Sequence, residues 1–204
     1  MTVIAAGAVV LDGRVCRPGW LRIAGGSIAE CGSGAPPRPA DTSLPDAVVV
    51  PGFIDMHCHG GGGFSFPDAP ERVAAFHRRH GSTGLLASLV TAAPGDLLDA
   101  VRRLADATRR GLIAGIHLEG PWLSAARCGA HDPAQVRAPA PAEIEALLTA
   151  GAGTIRMVTL APELPGGLDA VRRLVDAGVV VAVGHTDASY DQTRAAIDAG
   201  ATVA

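Results

Sequence analysis

The pattern of apolar and polar positions changes character near residue 48. Before it, short apolar runs at Val3 to Leu11, Val15 to Cys16, Trp20 to Ile23 and Ile28 to Cys31 read as strands. Asp12-Gly13 and Pro18-Gly19 between them are hairpin-type turns. Gly32 to Pro45, rich in Gly, Pro and Ala and without a hydrophobic period, reads as a linker. The predicted domains are therefore a small β module with its linker, 1–47, and a larger domain, 48–204.

After Val48, apolar runs at Val48 to Met56, Leu85 to Val90, Leu112 to Leu118, Ile155 to Leu160 and Val179 to Val183 predict strands. Amphipathic helices are predicted between and after them, at Pro70 to His80, Pro94 to Arg110, Pro141 to Ala150, Leu168 to Ala177 and Tyr190 to Ala199. Repeated β-α alternation means parallel strands with helices outside, as a barrel or an open doubly wound sheet. An internal repeat supports this: Leu98-Asp99-Ala100-Val101-Arg102-Arg103-Leu104 recurs as Leu168-Asp169-Ala170-Val171-Arg172-Arg173-Leu174. One helix solution, with Leu and Val inward and the Arg pair in solvent, serves twice.

Composition narrows the function classes. At 48% hydrophobic and 18% charged, the chain can bury a core, and no run reaches the roughly 20 apolar residues of a membrane span. A soluble, cytoplasmic protein is expected. All 17 basic residues are Arg, so Schiff-base or carbamylated-lysine chemistry is excluded within this stretch. A formal net charge of -3 argues against nucleic acid and favours a small-molecule substrate. Cys16, Cys31, Cys58 and Cys128 form no C-x-x-C pair, so neither a disulfide framework nor a zinc ribbon is expected.

In a parallel β/α fold, side chains at the C-terminal ends of strands converge on one rim. The first strand of the larger domain runs into Asp55-Met56-His57-Cys58-His59-Gly60, the third into His117-Leu118-Glu119-Gly120-Pro121 and the fifth into Gly184-His185-Thr186. A strand period of two projects His57 and His59 to one face, where they can share a metal ion, and turns Cys58 into the core. Glu119, after a strongly apolar strand, either meets a cation or faces solvent from a loop. His185 reads as a ligand or a capped core histidine. Together the four offer imidazole and carboxylate, a set suited to Zn, Fe, Mn or Co. His117 shares the face of Glu119 and is expected to support the ligands. His131 lies on the long loop over the rim, while His77 and His80, beside Arg78 and Arg79, read as a solvated helix face.

The run Pro51-Gly52-Phe53-Ile54-Asp55-x-His57-x-His59-Gly60, followed by His117-Leu118-Glu119-Gly120-Pro121-Trp122, Gly129-Ala130-His131 and Gly184-His185-Thr186-x-Ala188, resembles the N-acetylglucosamine-6-phosphate deacetylases of the amidohydrolase superfamily. The resemblance implies an α/β fold, a partial TIM-type (β/α)8 barrel with a small N-terminal β-sandwich module. It implies Glu119 and His185 as ligands of the main divalent metal, His57 and His59 as a pair for an additional one, and Ala130 and His131 as substrate contacts. One or two metal ions per site are consistent with it. It further implies that the proton-shuttling aspartate and the phosphate contacts lie beyond residue 204, so that this chain is an incomplete piece, inactive and poorly folded alone, of an enzyme forming glucosamine 6-phosphate and acetate. A homodimer is expected at full length, with a phosphorylated amino sugar as partner and neither nucleic acid nor membrane. Another amidohydrolase, such as a cyclic-amide hydrolase or deaminase, and an inactive metal-binding product remain the alternatives.

Overall fold

At Asp12-Gly13 both residues adopt positive φ, 48° and 72°, the twist that a two-residue hairpin needs. This turn folds β1 (Thr2–Leu11) onto β2 (Arg14–Cys16). β3 (Gly19–Ala24) pairs antiparallel with β1 and with β4 (Ser27–Ser33). The computed structural model describes residues 1–204 and divides them into two units, Met1–Gly52 and Phe53–Ala204.

The first unit holds a strand that the sequence pattern hid. β5 (Thr42–Val49) begins inside the segment read as linker and pairs parallel with β1. Pro45 interrupts its alternation, and the register against β1 shifts between Ala6 and Ala8. The neighbour at that shift must be Gly7, since a Cβ there would lie 2.1 Å from the Pro45 carbonyl oxygen. Ala6, Val9 and Leu21 form the buried centre of this sheet.

The second unit starts where Pro51-Gly52 ends the apolar run expected from Val48 to Met56. Val48 and Val49 belong to β5, and a new strand, β6 (Phe53–Cys58), begins past the proline, which has no N–H to donate. A short hairpin of β7 (Gly60–Gly61) and β8 (Phe64–Ser65) leads into α1 (Pro70–Arg78). Then follow β9 (Ser82–Leu89), α2 (Pro94–Arg109), β10 (Gly115–Glu119), α3 (Pro141–Gly151), β11 (Ile155–Leu160), α4 (Gly167–Asp176), β12 (Val180–Val183) and α5 (Tyr190–Asp198). The strands form one parallel sheet in the order β12-β11-β10-β9-β6, the open part of a TIM-type barrel with helices between strands.

The sheet and its helices share one apolar core. The repeated segment behaves as its spacing predicts: Val101 and Leu104 on α2, and Val171 and Leu174 on α4, are buried. Arg102 and Arg172 each pair with the aspartate three residues earlier at 2.9 Å, in solvent. Those exposed pairs contribute little, whereas each buried Leu or Val is worth about 1.5–3 kcal/mol. α5 is capped by Ser189, which accepts from the Gln192 N–H while the Gln192 side chain accepts from the Ser189 N–H. No helix is long and apolar enough to cross a membrane.

Candidate metal centre

The C-terminal ends of β6, β10 and β12 deliver the expected residues to one place. Glu119, the last residue of β10, is 6% exposed and has four imidazoles around it. Its Oε2 lies 2.8 Å from His59 Nε2, 3.3 Å from His57 Nε2 and 3.5 Å from His131 Nε2. Its Oε1 lies 3.0 Å from His185 Nε2. His57 and His59 share a face, as the period of two requires, with their Nε2 atoms 3.0 Å apart. His185 sits just past β12 with φ +50°, and its carbonyl accepts from the Ser124 N–H. That bond ties the end of β12 to the loop that follows β10.

The partner of each Nδ1 fixes what the opposite nitrogen can do. His59 Nδ1 lies 3.1 Å from the Ser88 carbonyl oxygen, and His185 Nδ1 lies 2.9 Å from that of Arg127. A carbonyl only accepts, so both rings carry a proton on Nδ1; Nε2 donates to Glu119 when the ring is protonated and offers its lone pair to a cation when the ring is neutral. His131 is the reverse case. Its Nδ1 accepts from the Thr91 N–H at 3.2 Å, so in the neutral ring Nε2 bears the proton and is a donor. Although His131 Nε2 is grouped in space with Glu119 and His185, it is suited to hold an oxygen and not a metal. Ala130, beside it, is exposed on the same loop.

Burial opposes charge on Glu119, yet hydrogen bonds from His59 and His185 and the charge of His57 hold its carboxyl well below the usual carboxylate range. The hydrogen bond to Glu119 raises the pKa of His59. His131 is pushed down, chiefly by burial. His117 is buried completely, and burial together with the charge of His57 pushes it down to about 4. It stays a neutral ring, with Nδ1 2.9 Å from Ser88 Oγ and Nε2 2.8 Å from Thr159 Oγ1. Its ring meets His57 edge-on at 4.8 Å between centroids.

A carboxylate with one oxygen turned to His57 and His59 and the other to His185 fits a divalent cation, because the donor atoms of each group lie within 4.8 Å of one another. Residues that the sequence reading passed over support it. Ser88 and Thr159 are buried polar residues inside apolar strands, and Thr91 follows one. A hydroxyl in such a run was the available signal. The loop carrying His131 is clamped by Arg137, whose Nε and Nη2 reach Glu143 at 3.0 and 2.5 Å while Trp122 Nε1 donates to Glu143 at 3.0 Å.

One expectation needs correction. His77 does not belong to a solvated face. It is partly buried, with Nε2 3.2 Å from Cys58 Sγ and 2.9 Å from the Gly60 carbonyl oxygen, because α1 turns it toward the back of β6.

Comparison with known proteins agrees with this geometry. Among relatives, the N-acetylgalactosamine-6-phosphate deacetylase of Escherichia coli O157:H7 is 38% identical over 90% of this chain and 51% of its own length. The N-acetylglucosamine-6-phosphate deacetylase of Bacillus subtilis is 31% identical over 96% of this chain and 53% of its own. The chain thus spans about half the length of the curated relatives it matches. The crystal structure of N-acetyl-D-glucosamine-6-phosphate deacetylase from Mycobacterium smegmatis superposes with a TM-score of 0.97 at 58% identity, covering 99% of this chain and 55% of that one. A mutant of that enzyme has been solved in complex with N-acetyl-D-glucosamine-6-phosphate. Residues 48–203 match the amidohydrolase family, whose members are metal-dependent. By that match, and with Glu119 set among imidazoles at the rim of a parallel half-barrel, the chain belongs to the amidohydrolase family.

Proposed function

We propose that this chain carries the metal-binding part of an N-acetylglucosamine-6-phosphate deacetylase, which hydrolyses the acetamide of that phosphorylated amino sugar to glucosamine 6-phosphate and acetate. The observation that carries the reading is Glu119 divided between His57 and His59 on one oxygen and His185 on the other. The names of the relatives and the 58% identity to the Mycobacterium smegmatis enzyme support the substrate.

In this reading Glu119 and His185 would hold the main cation, of the Zn, Fe, Mn or Co class, and His57 and His59 would hold an additional one. A divalent cation held there would lower the pKa of water towards about 7 and polarise the amide carbonyl. The chain's own residues do the rest. Ser88 and Arg127, through their carbonyls, keep the His59 and His185 rings in the tautomer that binds. His131 presents Nε2–H to a substrate oxygen, with Nδ1 anchored by Thr91. The neutral His117 holds its place beneath His57 without adding a charge that would repel a cation. The group that protonates the leaving amine is assigned to none of these residues.

The test joins residues 1–204 to the part of the Mycobacterium smegmatis enzyme that this chain does not match. The chimera is expected to release acetate from N-acetylglucosamine 6-phosphate only when loaded with metal, and to lose both metal and activity with Glu119→Gln. N-acetylgalactosamine 6-phosphate, hydantoins and nucleobases serve as competing substrates. A folded, metal-loaded chimera that turns over one of those and not the glucosamine derivative overturns the reading.

A further inference from the structure

β6 carries a second set of ligand-type side chains on the face opposite His57 and His59. Between Asp55 and Cys58 the strand advances three residues while β9 advances two, from Leu85 to Ala87. Regular alternation would send residues i and i+3 to opposite faces; this bulge brings Asp55 and Cys58 to the same one. α1 places His77 against them, with Nε2 3.2 Å from Cys58 Sγ. The donor atoms of Asp55, Cys58 and His77 all lie within 4.8 Å of one another. The Gly60 carbonyl oxygen adds a fourth, 2.9 Å from His77 Nε2 and 3.4 Å from Cys58 Sγ.

We propose that Asp55, Cys58 and His77 form a second, thiolate-containing site for a divalent cation of the Zn2+ class, which pins α1 to the back of the strand bearing His57 and His59. Thiolate, imidazole and carboxylate together select Zn2+ over Mg2+ or Ca2+, which prefer oxygen alone. The contacts are close to those of a tetrahedral site, where Zn–S of about 2.3 Å and Zn–N of about 2.0 Å place sulfur and nitrogen roughly 3.5 Å apart. The shift needed from 3.2 Å is a few tenths of an ångström. Two observations favour a cation over a purely hydrogen-bonded pair. The Asp55 carboxylate forms no ion pair, its recorded contact being the His57 N–H at 3.2 Å. The chain also keeps the space clear, since a Cβ on Gly61 would come 2.6 Å from His77 Nε2.

Co2+ titration of the chimera described above, which supplies the part of the fold this chain does not match, tests the site, because a thiolate ligand gives Co2+ an intense near-ultraviolet charge-transfer band that nitrogen and oxygen ligands do not. The band is expected in the wild type, in Glu119→Gln combined with His185→Asn, and in Cys128→Ser. It is expected to vanish in Cys58→Ser, and His77→Asn should weaken the Co2+ affinity read from it about tenfold or more. A folded wild type that binds Co2+ without the band overturns the proposal, as does a band that persists in Cys58→Ser. Should Cys58→Ser fail to fold, His77→Asn decides: a band of unchanged affinity there overturns the site. Because the main-centre variants retain the band, failure of the deacetylase reading and failure of this one are separable.

Discussion

At the scale of single residues, the informative fact about each histidine is what its far nitrogen touches. His59 and His185 give that proton to a carbonyl, and His131 takes one from an amide. The consequence is measurable by elemental analysis of purified variants. Glu119→Gln should lower metal affinity by more than the roughly 10- to 100-fold typical of supporting groups, while His131→Ala should leave bound metal unchanged. Loss of metal from His131→Ala would overturn its assignment as a donor. The convergence of these side chains was legible in sequence: H-x-H needs only a strand period, and Glu119 stood out as a carboxylate after an apolar run. The tautomers were not legible, because the groups that set them, the Ser88 and Arg127 carbonyls and the Thr91 amide, are backbone atoms brought in from other elements. No residue type advertises a carbonyl. His77 was misread for a related reason, since two neighbouring arginines suggested solvent while the ring packs inward.

At the scale of elements, the helices and barrel strands followed their periodicity, and the failures fell where a proline or glycine altered it. Val48 to Met56 is two strands because Pro51 divides it, and β5 escaped notice because Pro45 and its shifted register against β1 destroy the alternation that marks a strand. The segment between β10 and α3 contains a single short turn of 3-10 helix at Ala125–Arg127, yet it is held at both ends. Ser124 donates to the His185 carbonyl, and Arg137 with Trp122 grips Glu143 on α3. Removing that grip should loosen the loop as a unit. Glu143→Ala leaves a half-buried guanidinium and an indole N–H without their acceptor, which is expected to cost about 1–3 kcal/mol in urea unfolding. Trypsin should also cut faster after the exposed Arg127. Unchanged cleavage kinetics would show that the loop is ordered by other contacts.

At the scale of the molecule, the parallel sheet is covered at its centre and bare at its edges. β10 and β11 are buried almost throughout, while Phe53, Ile54 and Met56 on the edge strand β6 remain 59%, 73% and 55% exposed and Val180 on the other end strand, β12, remains 42% exposed. β6 pairs with β9 alone, so its other edge offers free backbone groups. The 204-residue chain is expected to enhance the fluorescence of an apolar dye and to self-associate with rising concentration, and Ile54→Lys should reduce both. A monomer that ignores the dye would contradict this. The register shifts distributed through the sheet have one more effect, on how such a protein can change in length. Between Asp55 and Cys58 on β6, and at Arg156 on β11, one strand holds a residue more than its neighbour. A deletion at either point removes slack and leaves every flanking side chain on its present face. The same deletion at Ile116 or Val158 would turn half a strand over, carrying Glu119 or Thr159 with it. Single-residue gaps in a lineage built on this sheet should therefore collect at its bulges and be purged between them.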